Sequence, residues 1–261
     1  VRFAADWLAL RAPFDAAARN AALEDRLAAW ARDRAPGRAL QVVDLGAGSG
    51  NNLDHLAPRL RHAQDWTLVD SDAALLADAR LAHPTAQTVE ADLTGALEPL
   101  ITPGTDLVTA SALIDLVSEA WLARLTSRVR EVGSALFVVL SYDGRIVWED
   151  ESGADREVRN LVNRHQRTDK GFGPALGPDA ALVLDDLLDG VLTADSDWVI
   201  AADDSAMRAS LLQSWATAAT ELDPDQAAAI QAWRTQALAA ARGLTVGHKD
   251  QLWLPERPTV R

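Results

Sequence analysis

Gly46, Gly48 and Gly50 alternate with other residues in Asp44-Leu45-Gly46-Ala47-Gly48-Ser49-Gly50-Asn51, directly after the apolar Val42, Val43 and Leu45. Glycines so placed let backbone approach a ligand closely. Leu53, Leu56 and Leu60 follow at helical spacing, which adds a helix N-terminus with free N–H groups and about half a positive charge. No Lys-Ser or Lys-Thr pair follows, so this is not a phosphate loop. Nor is the dinucleotide fingerprint complete: read from Gly46, its third glycine would stand where Asn51 is. About 20 residues on, Asp70 ends a second apolar run, Trp66-Thr67-Leu68-Val69. A carboxylate at that edge of a doubly wound sheet can accept from both hydroxyls of an adenosine ribose. It could equally cap the next helix, as Ser71 or Asp72 could.

The elements that must position these residues follow from hydropathy patterning. Residues 1–36 read as helices, with Leu23, Leu27 and Trp30 on one face and Pro13 suited to a first helical turn. Strands are expected at 41–45, 66–70, about 86–90, 106–111 and 135–140, with helices between them, so the sheet there should be parallel with right-handed crossovers. Ser118 is a plausible N-cap, and Asp179 could cap a helix running to Leu188. Residues 191–193 and 198–200 read as one interrupted strand, about 203–222 and 224–242 as two helices broken at Asp223-Pro224, and 244–254 as a last strand.

Taken jointly, Asp44, the three glycines, Asp70 and Asp92 resemble the cofactor motifs of class I S-adenosylmethionine-dependent methyltransferases of the small-molecule type, over roughly residues 40–142. The resemblance implies an α/β fold, a seven-stranded, doubly wound, mostly parallel sheet with its last strand antiparallel. It implies S-adenosyl-L-methionine as cofactor, held by Asp44, Gly46, Ala47, Gly48, Gly50, Asn51, Asp70, Ser71, Asp92, Leu93 and Ser111. In such enzymes an acid after the third strand accepts from the adenine amino group, and Asp92 matches it; the alternative is a surface aspartate. Ser111 falls where the sulfonium would lie. Residues 1–36 would form a lid, with Arg11 or Arg19 meeting the methionine carboxylate, and residues 37–261 the methyltransferase domain, with helical caps at about 150–190 and 203–242. The fourth-strand segment lacks the Asp/Asn-Pro-Pro-Tyr/Phe pattern associated with methylation of base amines.

Candidates for the acceptor side are fewer. Asp115 could bind substrate or act as a base, or simply begin a helix. Tyr142, the sole tyrosine, could orient a substrate hydroxyl or carboxylate, or be an ordinary half-buried ring. Arg156, Arg159, Arg164, Arg167 and Lys170 make a basic stretch in a chain of net charge −13. It is either a solvated helix face or a cap in which Arg164 and Lys170 recognise an acidic substrate and His165 serves as general base.

Composition bounds the rest. A chain of 261 residues, 48% hydrophobic, can bury a sizeable core. Its acidity makes nucleic acid a poor partner. Without cysteine there is no disulfide or thiolate chemistry, and the five histidines show no metal-ligand spacing, so no metal is indicated. No run approaches a membrane span or a leader sequence, and the expected location is cytoplasmic. Oligomeric state is not legible. The expected function is methyl transfer to O, N or C of a small, conceivably anionic metabolite. An NAD(P)-dependent oxidoreductase and a non-catalytic binding module of the same fold are the alternatives.

Overall fold

The computed structural model describes residues 5–256. Its apolar runs become central strands because each is buried on both faces. In chain order the strands are β1 (Leu40–Leu45), β2 (Gln64–Asp70), β3 (Gln87–Glu90), β4 (Leu107–Ser111), β5 (Ala135–Trp148), β6 (Leu192–Asp195), β7 (Trp198–Ile200) and β8 (Leu244–Trp253). The sheet order is β3-β2-β1-β4-β5-β8-β6, with β7 also pairing β8. Strands β1 to β5 are parallel, whereas β8 is antiparallel to β5, β6 and β7. This is the doubly wound, mostly parallel sheet expected, with eight strands in place of seven, because residues 191–200 form two separate strands.

Helices α1 (Ala5–Ala18), α2 (Ala21–Arg34), α3 (Asn51–Leu60), α4 (Ala73–Ala82), α5 (Glu119–Val132), α6 (Gly153–Gln166), α7 (Ala180–Leu187), α8 (Ser205–Leu222) and α9 (Ala227–Ala240) surround it. Ser118 caps α5 and Asp72 caps α4 through their side chains. Asp179 makes no such cap; its carboxylate pairs with Arg167 instead. Pro13 lies inside α1 rather than in its first turn. The strict strand–helix alternation fails once, since residues 91–106 join β3 to β4 through turns alone. No described helix is long and apolar enough to cross a membrane.

The largest departure is β5. It runs through Tyr142 to Trp148 instead of ending at residue 140, so Tyr142 lies within a strand and not at its edge. Beyond the parallel sheet, β5 and β8 continue as a ribbon with irregularities at Val138/Ser141 and Tyr142/Ile146. Helices α6, α8 and α9 pack on that ribbon around Ile146, Val162, Leu212 and Ala216. Trp148 meets Trp215 and Trp233 edge-on, at 5.7 and 6.4 Å between centroids. Such pairs add about 0.5–1.5 kcal/mol beyond area burial. Helices α6, α8 and α9, drawn from both expected cap segments, form one helical layer, whereas α7 packs against α5.

Asp155, completely buried in the first turn of α6, ties this layer down. Its oxygens accept from Trp233 Nε1 at 2.8 Å, from Arg242 at 2.9 and 3.0 Å, and from the Ser152 backbone at 2.8 Å. Burial alone would raise its pKa, but these hydrogen bonds outweigh that and hold it at about 2. The native state therefore binds this proton less readily than the unfolded chain. The stabilisation is present above about pH 4 and disappears as pH falls through 2. Asp155→Ala should cost about 3 kcal/mol at pH 7, because it leaves the Arg242 charge uncompensated. Urea unfolding should show this as a lower midpoint, with the gap to wild type narrowing below pH 4.

Candidate functional site

A cavity of about 400 Å³ opens at the carboxyl edge of β1, β2 and β4. Its floor is Gly46 and Gly48, its rim Asp70, Ser71 and Asp72, and its far side Asp92, Leu93, Thr94 and Ser111 to Leu113. Leu75, Leu116 and Phe172 give it apolar walls, and α1 contributes Leu8 and Arg11 from above. Gly48 has φ +54°, a left-handed backbone that favours glycine; a Cβ there would only touch Leu8 Cδ1 at 3.4 Å, so the turn and not the space asks for glycine.

Asp70 accepts from Gly48 N at 2.8 Å through one oxygen and from Asp72 N at 2.9 Å through the other. A carboxylate offers about four lone-pair sites, so two remain for a ligand. The Gly48 bond also fastens the glycine loop to the end of β2. Asp92 is exposed and accepts from Thr94 N at 2.9 Å; its hydrogen bonds to Thr94 hold its pKa low, so it is a carboxylate at neutral pH.

Other expected cofactor residues lie behind the loop, not on the cavity wall. Asp44 is buried and accepts from Asn52 Nδ2 at 3.0 Å. Burial raises its pKa to about 7 against the opposing effects of Asn52 and Arg19. Asn52 also accepts from Arg19 at 2.8 Å, and Arg19 lies 3.4 Å from Glu24 and 3.8 Å from Asp250. Arg19 is thus a buried structural cation away from the cradle, and Arg11 is the arginine at its wall. Asn51 donates to Leu8 O at 3.2 Å, tying α3 to α1. Ala47, Gly50 and Asn51 shape the loop without lining the cavity.

A second cavity, about 620 Å³, adjoins the first, and Arg11, Ala112, Leu116 and Lys170 line both. It lies between the β5–β8 ribbon, α1, α6 and α8. Two non-glycine residues on its wall, Ala112 at φ +51° and Leu140 at φ +56°, hold left-handed backbone, a strain that clusters at functional sites. Asp115, Tyr142, His165 and Lys170 all face this space, as do Trp7, Trp198, Trp215 and His248. Arg164 is exposed and lines neither cavity.

The hydrogen bonds sort these groups. Tyr142 is buried, not half-buried; its hydroxyl donates to Asn163 at 2.7 Å, and burial with Asp143 nearby keeps the phenol protonated. His165 has Nε2 2.9 Å from Glu221 and Nδ1 3.2 Å from Lys170 Nζ. Because an ammonium only donates, Nδ1 is the acceptor there and Nε2 carries the proton. The imidazole therefore has no free lone pair for a substrate proton. Asp115 is different: buried, with Oδ1 lacking a partner among the described residues, it has its pKa raised to about 6 by burial. His248, absent from the sequence reading, is also buried. Burial, reinforced by Arg11 against an opposing effect of the Val246 backbone, pushes its pKa down to about 3, and Nδ1 lacks a hydrogen-bond partner among the described residues. Its only sequence signal was a histidine inside an otherwise ordinary strand.

Elsewhere, Asp143, Asp195 and Asp197 come close enough to hold a cation. Arg145 and Lys249 already occupy their oxygens.

No protein-family model matches the chain, and no curated protein does. Solved structures with a related chain path include DesVI of Streptomyces venezuelae, at 20% identity over 55% of this chain and 61% of that one, TM-score 0.38. An S-adenosylmethionine-dependent methyltransferase of Clostridium acetobutylicum gives 14% identity over 51% and 59%, TM-score 0.37. A Bacillus halodurans C-125 protein provisionally assigned as a methyltransferase gives 17% over 86% and 97%, TM-score 0.46. The chain spans less than two thirds of the length of the first two. Overlap this loose carries no weight for activity. The strand order and the antiparallel β8 agree with the doubly wound sheet that the sequence resemblance implied.

Asp115 makes its burial measurable. Its folded pKa is raised, so stability falls as pH climbs from about 4 to about 6 and is flat above. Asp115→Asn removes that loss: it should stabilise the protein by about 2–3 kcal/mol at pH 8 and leave it unchanged at pH 4. Parallel denaturant titrations at the two pH values check this.

Proposed function

We propose that the protein transfers a methyl group from S-adenosyl-L-methionine to a small molecule held in the second cavity. The observation that carries this reading is the pair of adjoining cavities. One is built on a glycine loop between two acids, the other on an aromatic wall, and they meet at Arg11, Ala112, Leu116 and Lys170. A volume of about 400 Å³ suits a small-molecule cofactor. The residues present fit the proposed one: Asp70 has free lone pairs for two ribose hydroxyls, Asp92 can accept from an adenine amino group, and Leu75, Leu93 and Leu113 offer apolar faces to a base.

When bound, the cofactor supplies an electrophilic methyl carbon for an O, N or C nucleophile. Asp70 and Asp92 fix its orientation, and Arg11 is placed to meet a carboxylate by charge-assisted hydrogen bonding. Helix α1 acts as the lid, its Leu8 and Arg11 closing the cradle against water. The second cavity holds the acceptor in line; well-oriented reactants can gain on the order of 7–11 kcal/mol from such alignment. Asp115, with one oxygen free and a pKa near neutrality, takes the nucleophile's proton where one must leave. Tyr142 and His165 shape the wall, and Lys170 lies at the junction.

Calorimetry tests the cofactor half directly. S-adenosylhomocysteine should bind and NAD should not; the reverse would assign the fold to hydride transfer. Asp70→Ala should weaken S-adenosylhomocysteine by roughly 1.5–3 kcal/mol, through loss of charged hydrogen bonds. An unchanged dissociation constant removes Asp70 from the site. Binding without any labelled-methyl transfer to a metabolite extract would instead mark a non-catalytic module.

A further inference from the structure

The second cavity has a chemical character of its own. Trp7 and Trp198 meet edge-on at 6.2 Å, His248 lies tilted against Trp198 at 4.5 Å, and Tyr142 stands edge-on to His248 at 6.2 Å. Trp215 completes the aromatic lining. Such walls accept flat apolar ligands, and in principle cations. A cation is disfavoured here because Arg11, 5.3 Å from the Trp198 ring centroid, and Lys170 already set two positive charges on the wall against the carboxylates of Asp115 and Glu221. A purely apolar ligand is disfavoured too. It would leave Asp115 Oδ1 and His248 Nδ1 buried without partners, and an unsatisfied buried polar group costs about 1–3 kcal/mol. Tyr142 and His165 make no comparable demand, since Asn163, Glu221 and Lys170 already engage them.

Resting on the methyl-transfer reading, we propose that the acceptor is a flat aromatic ring bearing a hydroxyl group. The ring lies among Trp7, Trp198 and Trp215, its hydroxyl donates to Asp115 Oδ1, and His248 Nδ1 serves as the second polar anchor. A phenolic hydroxyl both donates and accepts, so it can satisfy the two groups together. In the transfer, the O–H proton passes to Asp115 and an oxygen lone pair forms the new O–C bond. The donor's S–C bond breaks with its electron pair left on sulfur, giving an aryl methyl ether and a neutral thioether. Asp115 then returns the proton to solvent.

Calorimetric titration with 1-naphthol, naphthalene, cyclohexanol and 2-phenylethylammonium tests this, with and without saturating S-adenosylhomocysteine. The expected result is 1-naphthol at least about 10-fold tighter than each of the others, since a site built for a hydroxyl rejects analogues lacking it. Trp198→Ala should weaken 1-naphthol by about 10-fold or more; if that variant does not fold, Trp7→Ala, at a half-buried position, makes the same test. Asp115→Asn keeps an acceptor oxygen. It should hold 1-naphthol within about 3-fold of wild type while labelled-methyl transfer to it falls by about 100-fold or more. Equal binding of naphthalene, tighter binding of the ammonium, or undiminished transfer by Asp115→Asn would overturn the proposal. Ring binding needs no donor, so failure of S-adenosylhomocysteine to bind would overturn the methyl-transfer reading alone and leave the cavity's ring preference separately measured.

Discussion

The carboxylate of Asp250 is fully buried in β8, and each of its oxygens accepts one backbone N–H at 2.9 Å, from Leu140 on one side and from Asn20 on the other. Leu140 is the left-handed residue where β5 becomes irregular; Asn20 is the N-cap of α2, just past α1. One buried side chain therefore holds the bend of the central antiparallel pair and the junction of the N-terminal helices. Arg19, 3.8 Å away, supplies the positive charge that lets the carboxylate stay buried, and Glu24 and Asn52 bind that cation in turn. Past the bend β5 and β8 run on as a ribbon beyond β4 and β6, joined there by β7, and wall the second cavity.

That ribbon explains why the second cavity adjoins the first. The first belongs to the parallel sheet: in open α/β sheets, ligands sit outside the carboxyl ends of the strands. The second exists because α6, α8 and α9 pack on the far end of the ribbon, with Trp148 interlocking Trp215 and Trp233, while α1 crosses above. Arg11 is where the two meet, bonded to Asp15 at 2.8 Å and lying over Trp198. One helix, α1, thus covers the first cavity and walls the second.

Charge is treated differently at the two ends. Asp70 and Asp92 keep access to solvent and part of their acceptor capacity, the rest being spent on Gly48, Asp72 and Thr94 backbone N–H groups. Asp115 and His248 are buried, and burial favours their neutral forms. A buried carboxyl without its full set of partners reduces stability. Its presence beside an apolar space is the pattern of a site that trades stability for chemistry.

The first cavity was legible in the residues because it is local. A strand, a glycine turn and an acid ending the next strand are each fixed by short-range backbone rules, so Gly46, Gly48, Asp70, Ser71, Asp92, Leu93 and Ser111 could be named before any coordinates and all line one cavity. Local rules also misled where a residue type admits two roles. Asp44 and Arg19 read as ligand groups, but long-range contacts made them an internal ion network. Arg164 read as a substrate contact, yet the helix turns it to solvent. The second cavity was not legible, because it depends on pairs far apart in sequence: Tyr142 beside His248, Trp7 against Trp198, Asp250 beneath Leu140. By itself the sequence determined the sheet's parallel half and the glycine loop that floors the first cavity, since periodicity and glycine geometry act over a few residues. Only the tertiary structure decided the ribbon and its aromatic cavity, because packing between distant segments sets which buried groups remain unpaired.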